Sequence, residues 1–432
     1  MKKIIFISLT LLLALKVMAQ AEPAGYAVAV KKFTHYYNQS QPDSIFSMFS
    51  TKLKAALPLD NFKPTTLQLK SQYGDLLNTG FLSFSKSVAV YKATFQKGTF
   101  VLNIALNAKN ELNGISLGEY KETTTAVSGP DLDPSLKEEP ILVKTLTGTI
   151  SGSLVMPKDP KGKIPLVLII PDGGPTDRDG NNPKTGVNGN TYKLLANDLG
   201  KAGIASVRYD KRLVGASVTK SKESELRFED YGDDAMGILK MLNDDDRFSK
   251  IVVFGHGEGA LVAALIVNDS PAKAMIAAEW AADNADVILK NQMKEKPQFL
   301  QNEFKAFLDS LRKGKTTDNI DPSLYFIARP SIQNFIMSWC RYDPIKGIRR
   351  IKVPLLLIQG TTDKIVPVEN GSRLMKKASK SETTLLEIKD MNHILKEAPD
   401  DEEKNIATYD KPDLPVKPEL VSAIVNFVNK VR

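Results

Sequence analysis

Apolar and polar positions change rhythm partway along this chain of 432 residues. Near the start, Tyr26, Val30, Phe33 and Tyr37 recur at helical spacing, which predicts an amphipathic helix. Further on, Ala89, Tyr91, Ala93 and Phe95 alternate with mostly polar neighbours. Phe100, Leu102, Ile104 and Leu106 repeat the alternation after a turn at Lys97-Gly98. Helix followed by antiparallel meander predicts a small α+β domain over residues 20–120. A polar stretch from Glu122 to Ser135, broken by Gly129 and Pro130, reads as a connector over 121–138.

Beyond it the strands become continuous apolar runs: Leu166–Ile170, Ala205–Val207, Ile251–Phe254 and Leu355–Ile358. They alternate with helical stretches, the pattern of a parallel sheet covered on both faces, here over residues 139–432. In such a sheet, sites form on loops at the carboxyl ends of the strands. Residues 283–345 read as mainly helical, from Val287 through Phe304–Leu308 to Phe335–Met337, and predict a cap over that end.

Composition adds little except at the N-terminus. Lys2 and Lys3 precede an apolar run from Ile4 to Leu15, then Val17-Met18-Ala19, a secretory signal peptide over residues 1–19. Export to a periplasm or the cell exterior is the expectation, with no integral membrane segment after cleavage. Cys340 is the sole cysteine, so an intrachain disulfide is excluded. The formal charge of +8 includes three leader lysines, and the rest are scattered without interleaved aromatics. Nucleic acid is therefore not an expected partner.

The candidate chemistry lies at the strand ends. Strand Ile251–Phe254 runs into Gly255-His-Gly257-Glu-Gly259 and then the apolar helix Ala260–Ile266. This has the form of the G-x-S-x-G elbow, the strained turn that presents a nucleophilic serine, with Gly257 in the serine's place. Asp363 follows strand Leu355–Ile358, and His393 follows strand Leu385–Ile388. Singly, Asp363 reads as a turn residue and His393 as a loop residue. Together, after the elbow, they have the order of a triad's acid and base.

These motifs, with Gly174-Pro-Thr-Asp-Arg-Asp-Gly-Asn181, Arg208-Tyr-Asp-Lys-Arg212 and Asn405-Ile-Ala-Thr-Tyr409, resemble exported bacterial carboxylesterases of the α/β-hydrolase superfamily, related to serine aminopeptidase-like hydrolases. The family members in question carry an N-terminal domain of unknown function. The resemblance implies an α/β-hydrolase fold with a helical cap, preceded by the small α+β domain. It implies Asp363 and His393 as acid and base, and the backbone N–H groups of Gly173 and Glu258 as oxyanion hole. It also implies a small-molecule ester or acyl ligand, and neither cofactor nor metal.

The departures cluster at the strand ends. Gly257 has no attacking atom, and loss of the nucleophile costs a serine hydrolase on the order of 10⁶ in turnover. Asp172 stands in Pro171-Asp-Gly-Gly-Pro175 where the family has glycine, and a carboxylate there would oppose a developing oxyanion. Leu213-Val214 and Ala278-Glu-Trp-Ala281 also depart from the pattern. The expectation is a catalytically impaired relative that keeps an acyl-binding pocket. The alternatives are a weak hydrolase using a water activated by His393, or an active esterase with glycine introduced as a trap. Ser217 and Cys340 are substitute nucleophiles to test, and Trp339 and Tyr342 are cap residues that either line the pocket or pack the core. A metal on Asp172, His256 and His393, and a calcium on Asp177–Asn181, are disfavoured by spacing and context.

Overall fold

The alternation of the first hundred residues becomes a helix laid on a four-stranded meander. The protein is described here by a computed structural model over residues 22–85, 87–119, 131–321, 324–378 and 381–432. The leader expected over 1–19 and residues 121–130 of the connector lie outside the described residues. The chain divides into two units, residues 1–126 and 127–432.

In the first unit the helix Ala24–Asn38 buries Tyr26, Val30, Phe33 and Tyr37, the positions its spacing selects. They pack on strands β1 (Leu76–Ser85), β2 (Val88–Phe95), β3 (Gly98–Leu106) and β4 (Leu112–Glu119), antiparallel in the order β1-β2-β3-β4. Ala89, Tyr91, Ala93 and Phe95 point to that core, as period-two patterning requires.

The second unit is a mostly parallel α/β sheet. Its strands are β5 (Leu136–Lys144), β6 (Gly148–Pro157), β7 (Ile164–Ile170), β8 (Ala205–Tyr209), β9 (Val218–Thr219), β10 (Phe248–His256), β11 (Ala274–Ala278), β12 (Leu355–Gly360) and β13 (Thr383–Ile388). They lie in the order β13-β12-β11-β10-β7-β8-β6-β5, with β9 paired to β6. From β8 to β13 across β7 the neighbours are parallel; β6 runs antiparallel to β5 and β8.

The connector expected to end at 138 ends earlier, because Leu136 already begins β5. This is an edge strand with one wet face, so its Lys137 and Glu138 read as linker in the sequence.

Strand β7 shows why its run is uninterrupted. Leu166, Leu168 and Ile170 pack on one side with Ala235, Ile238 and Leu261, whereas Val167 and Ile169 pack on the other with Leu195, Leu420 and Ile424. Both faces are buried, so alternation has no polar partner. The chain leaves β7 toward β8 and returns across it to β10, which opens a switch point between β7 and β10.

Between β11 and β12 lie helices Ala285–Asn291, Gln298–Arg312, Tyr325–Ala328 and Gln333–Trp339, joined by a core of Leu289, Phe304, Phe307 and Ile336. Trp339 stacks on Phe228 at 6.3 Å between ring centroids, and the Tyr342 hydroxyl donates to Glu229 at 2.8 Å. Both residues are partly buried against the core of the sheet. No helix of the described residues is long and apolar enough to cross a membrane.

Candidate active site

Register brings the site together. Gly255 of β10 pairs with Ile170 of β7, so Gly257 and Asp172, each two residues further on, leave the sheet side by side. At Gly257 the backbone turns through φ +51° and ψ −115°, the tight strand-to-helix bend expected of an elbow. A Cβ on Gly257 would lie 1.9 Å from Asp172 Oδ1. The space of a nucleophile's side chain is thus filled by the carboxylate of Asp172.

On the other side of the elbow, β12 and β13 deliver the acid and the histidine. Asp363 Oδ1 accepts the Ile365 and Val366 N–H groups, which orients its other oxygen toward His393. His393 Nδ1 donates to Asp363 Oδ2 at 2.8 Å, and its Nε2 donates to Asp172 Oδ2 at 2.9 Å. Asp172 Oδ1 accepts the Glu258 backbone N–H at 3.0 Å. The structure therefore joins Gly257, Glu258, Asp363 and His393 in one place, with Asp172 between them. Gly173 adjoins them, its Cα facing the Glu258 side chain.

The oxyanion hole implied by the resemblance needs correction at Glu258. Its N–H is already engaged by Asp172, because an elbow without a side chain leaves room for that carboxylate. The expectation that Asp172 would merely oppose a developing charge understates its position.

Two carboxylates facing one imidazole decide its charge. Burial works against the His393 cation, but the charges of Asp363 and Asp172 outweigh it and raise its pKa well above the ordinary value. Burial likewise works against ionised Asp172, yet the His393 charge and hydrogen bond, with the Glu258 N–H, pull it well below the usual carboxylate range. Asp363 is lowered in the same way: burial opposes it and His393 prevails. Side-chain exposure is 28% at Asp172, 8% at His393 and nil at Asp363.

Two buried residues that sequence reasoning underrated complete the site. Glu279 sits at φ +52°, accepts the Gly360 N–H at 2.8 Å and the Gln359 amide, and bonds Asp363. Burial and then the Asp363 charge raise its pKa well above the ordinary value. Its signal in the sequence was the departure at Ala278-Glu-Trp-Ala281. Tyr192, which carried no signal, accepts the Asp172 N–H at 2.9 Å and meets His256 Nδ1 at 2.8 Å. His256 Nε2 in turn meets the His393 carbonyl at 2.7 Å. The consistent proton assignment is Nε2–H on a neutral His256, with Tyr192 donating to Nδ1.

Burial lowers His256 to about 4, so its native-state cost is felt as pH falls from the unfolded value near 6.5 toward 4. His393 has the opposite sign: it contributes stability below 6.5 that is lost as pH rises through its elevated pKa. The chain has three histidines, so their imidazole resonances can be followed by NMR. His393 is expected to remain cationic at neutral pH while His256 remains neutral down to about 4. A neutral His393 at pH 7 would contradict the assignment.

The other candidates fall away. The Ser217 hydroxyl donates to the Asp210 carbonyl at 2.7 Å and accepts the Ser151 N–H at 2.9 Å, a buried structural role. Burial pushes the Cys340 thiol up to about 11, away from a reactive thiolate. Asp177 Oδ1 accepts the Asp179 and Asn181 N–H groups, and Asp179 pairs with Arg208, so this loop is a turn. Among the described residues no group of three His, Cys, Asp or Glu is arranged to hold a metal ion.

Residues 186–319 match the family described as serine aminopeptidase, S33, and residues 30–115 match a protein family of unknown function, DUF3887. Esterase EstD of Thermotoga maritima is 26% identical over 373 residues, 84% of this chain and 86% of that protein. Among solved structures, Est1E from Butyrivibrio proteoclasticus is 17% identical, with a TM-score of 0.45, covering 67% of this chain and 98% of its own. The Pyrococcus furiosus esterase Pf2001 is 16% identical, with a TM-score of 0.46, covering 70% and 95%. The family match and the EstD relative support a relationship to the α/β-hydrolase esterases, and the observed sheet order carries the fold.

Proposed function

We propose that this protein is an exported α/β-hydrolase relative of the esterases that has lost serine-based acyl transfer and retains a pocket for a small acyl or ester ligand. The observation that carries the reading is the Asp172 carboxylate, held where a nucleophile's side chain would stand and bonded to both His393 and the Glu258 N–H. Covalent hydrolysis needs an attacking oxygen, a neutral base beside it and open donors for the oxyanion. Here glycine offers no oxygen, the imidazole holds a proton on each nitrogen, and one donor is engaged.

The same geometry weighs against a water-activating His393, since a cation between two carboxylates has no lone pair to accept a proton. It also weighs against a glycine introduced into an otherwise active enzyme, because a serine at 257 and the present Asp172 rotamer exclude each other. Export rests on the leader-like residues 1–19. The purified chain is expected to show no labelling by a fluorophosphonate probe and no acetate-ester turnover above its heat-denatured control. Stoichiometric labelling would overturn the reading.

A further inference from the structure

The anion at the centre of this site is held as a ligand would be held. One Asp172 oxygen takes the His393 Nε2–H at 2.9 Å, and the other takes the Glu258 N–H at 3.0 Å. Glu258 opens the nine-residue helix Glu258–Ile266, whose N-terminus favours negative charge. Neither donor depends on Asp172 for its position. His393 is fixed from behind by Asp363, and its loop is tied down by Asn392, whose amide donates to Thr408 at 2.8 Å. The Glu258 N–H is fixed by the elbow, where the Gly257 N–H donates to the Ala278 carbonyl at 2.9 Å.

The Asp172 backbone is anchored separately. Its N–H donates to Tyr192 at 2.9 Å, and its carbonyl accepts from Lys211 Nζ at 2.9 Å. Only its side chain reaches across into the two donors. Competing carboxylates are engaged elsewhere: Glu258 pairs with Lys211 at 2.9 Å, and Glu279 bonds Gly360, Gln359 and Asp363 on the far side of the imidazole. His256 faces the cluster as a neutral ring, held by Tyr192 and the His393 carbonyl.

We infer that His393 Nε2–H and the Glu258 N–H form a binding site for a small monocarboxylate, with the Asp172 side chain as its resident occupant. Gly257 supplies the volume: a single carbon there would overlap the bound carboxylate. The tethered group excludes free acids, because it is present at the site at high effective concentration whereas a free acid must be recruited from solution. Removing the Asp172 side chain leaves His393 Nε2 and a helix-terminal N–H facing an empty carboxylate-sized space, which formate fits, its binding taking up a proton on Nε2 where the imidazole is neutral. The inference rests on the reading that Asp172, and no serine, fills the centre.

The test uses the full chain and its Asp172→Gly variant, with sodium formate titrated at constant ionic strength against sodium chloride. A ligand that binds only the native state raises the melting temperature with its concentration. Asp172→Gly is expected to gain a saturable rise of several degrees with formate, and broadening of the ¹³C-formate resonance, while the unaltered chain shows neither. Asp172→Ala gives the same readout if glycine loosens the loop. No formate effect in a folded variant overturns the inference, as does an equal effect in the unaltered chain. Absent formate binding with no fluorophosphonate labelling would sink this inference alone; labelling of the unaltered chain would sink the functional reading.

Discussion

Gly257→Ser alone is expected to yield no esterase, whereas Asp172→Gly combined with Gly257→Ser is expected to raise turnover of an activated acetate at least about 10³-fold over the unaltered chain. The single change puts a Cβ where Asp172 Oδ1 now lies, at 1.9 Å, so either the serine or the carboxylate must leave its place. If Asp172 is displaced within its loop, its charge remains beside the developing oxyanion, and the donors worth roughly 3 kcal/mol each are offset. The double change removes both obstacles at once. His393 loses one of its two carboxylate partners and can lose its Nε2 proton near neutral pH, while Asp363 still fixes its tautomer. The Glu258 N–H becomes free for the oxyanion. The elbow already has φ +51° and ψ −115°, so the strain a serine must bear, about 1–3 kcal/mol, is supported by surrounding structure. Steady-state kinetics and fluorophosphonate labelling of the two variants decide the matter. Equal activity in the single and double variants would mean that Asp172 is no obstacle.

A large loss of stability is expected at Gly259→Ala. A Cβ there would lie 2.4 Å from the Ile170 carbonyl oxygen and 2.5 Å from that of Pro171. The first atom ends β7 and the second follows it directly, and the register of β7 with β10 cannot shift without disturbing the central strands. Overpacking against backbone has no rotamer to relieve it, so a loss of about 3 kcal/mol is expected. That corresponds to a melting temperature lower by roughly 6 to 12 °C. Gly162→Ala is the control, since nothing lies within 4 Å there, although φ at Gly162, unlike that at Gly259, is positive, at +82°. It bears only the conformational cost, about 1 kcal/mol. Calorimetry on both variants checks the difference, and equal losses would refute the close-packing account.

Much of this was legible without coordinates because it depends on local order. Tyr26, Val30, Phe33 and Tyr37 form one buried helix face, and the apolar run Leu166–Ile170 is a strand buried on both sides. Each pattern reflects burial imposed residue by residue. Elbow, acid and histidine were readable for the same reason: each belongs to a short strand-to-loop segment with its own signature. The start of β5 was missed because an edge strand has one wet face, and its charged residues resemble a linker. Glu279 and Tyr192 were missed as site residues because their importance lies in partners 80 or more positions away for Glu279 and 64 for Tyr192.

The amino-acid order by itself determined the two-unit plan, the parallel sheet and the absence of an attacking oxygen at Gly257, since composition and short-range periodicity suffice for each. Tertiary structure alone decided what fills the place of that oxygen. Asp172 and Gly257 lie 85 positions apart, and only the pairing of Ile170 with Gly255 sets them side by side. Once adjacent, a carboxylate, a doubly hydrogen-bonded imidazole and a helix N–H satisfy one another, and no local pattern of the chain encodes that contact.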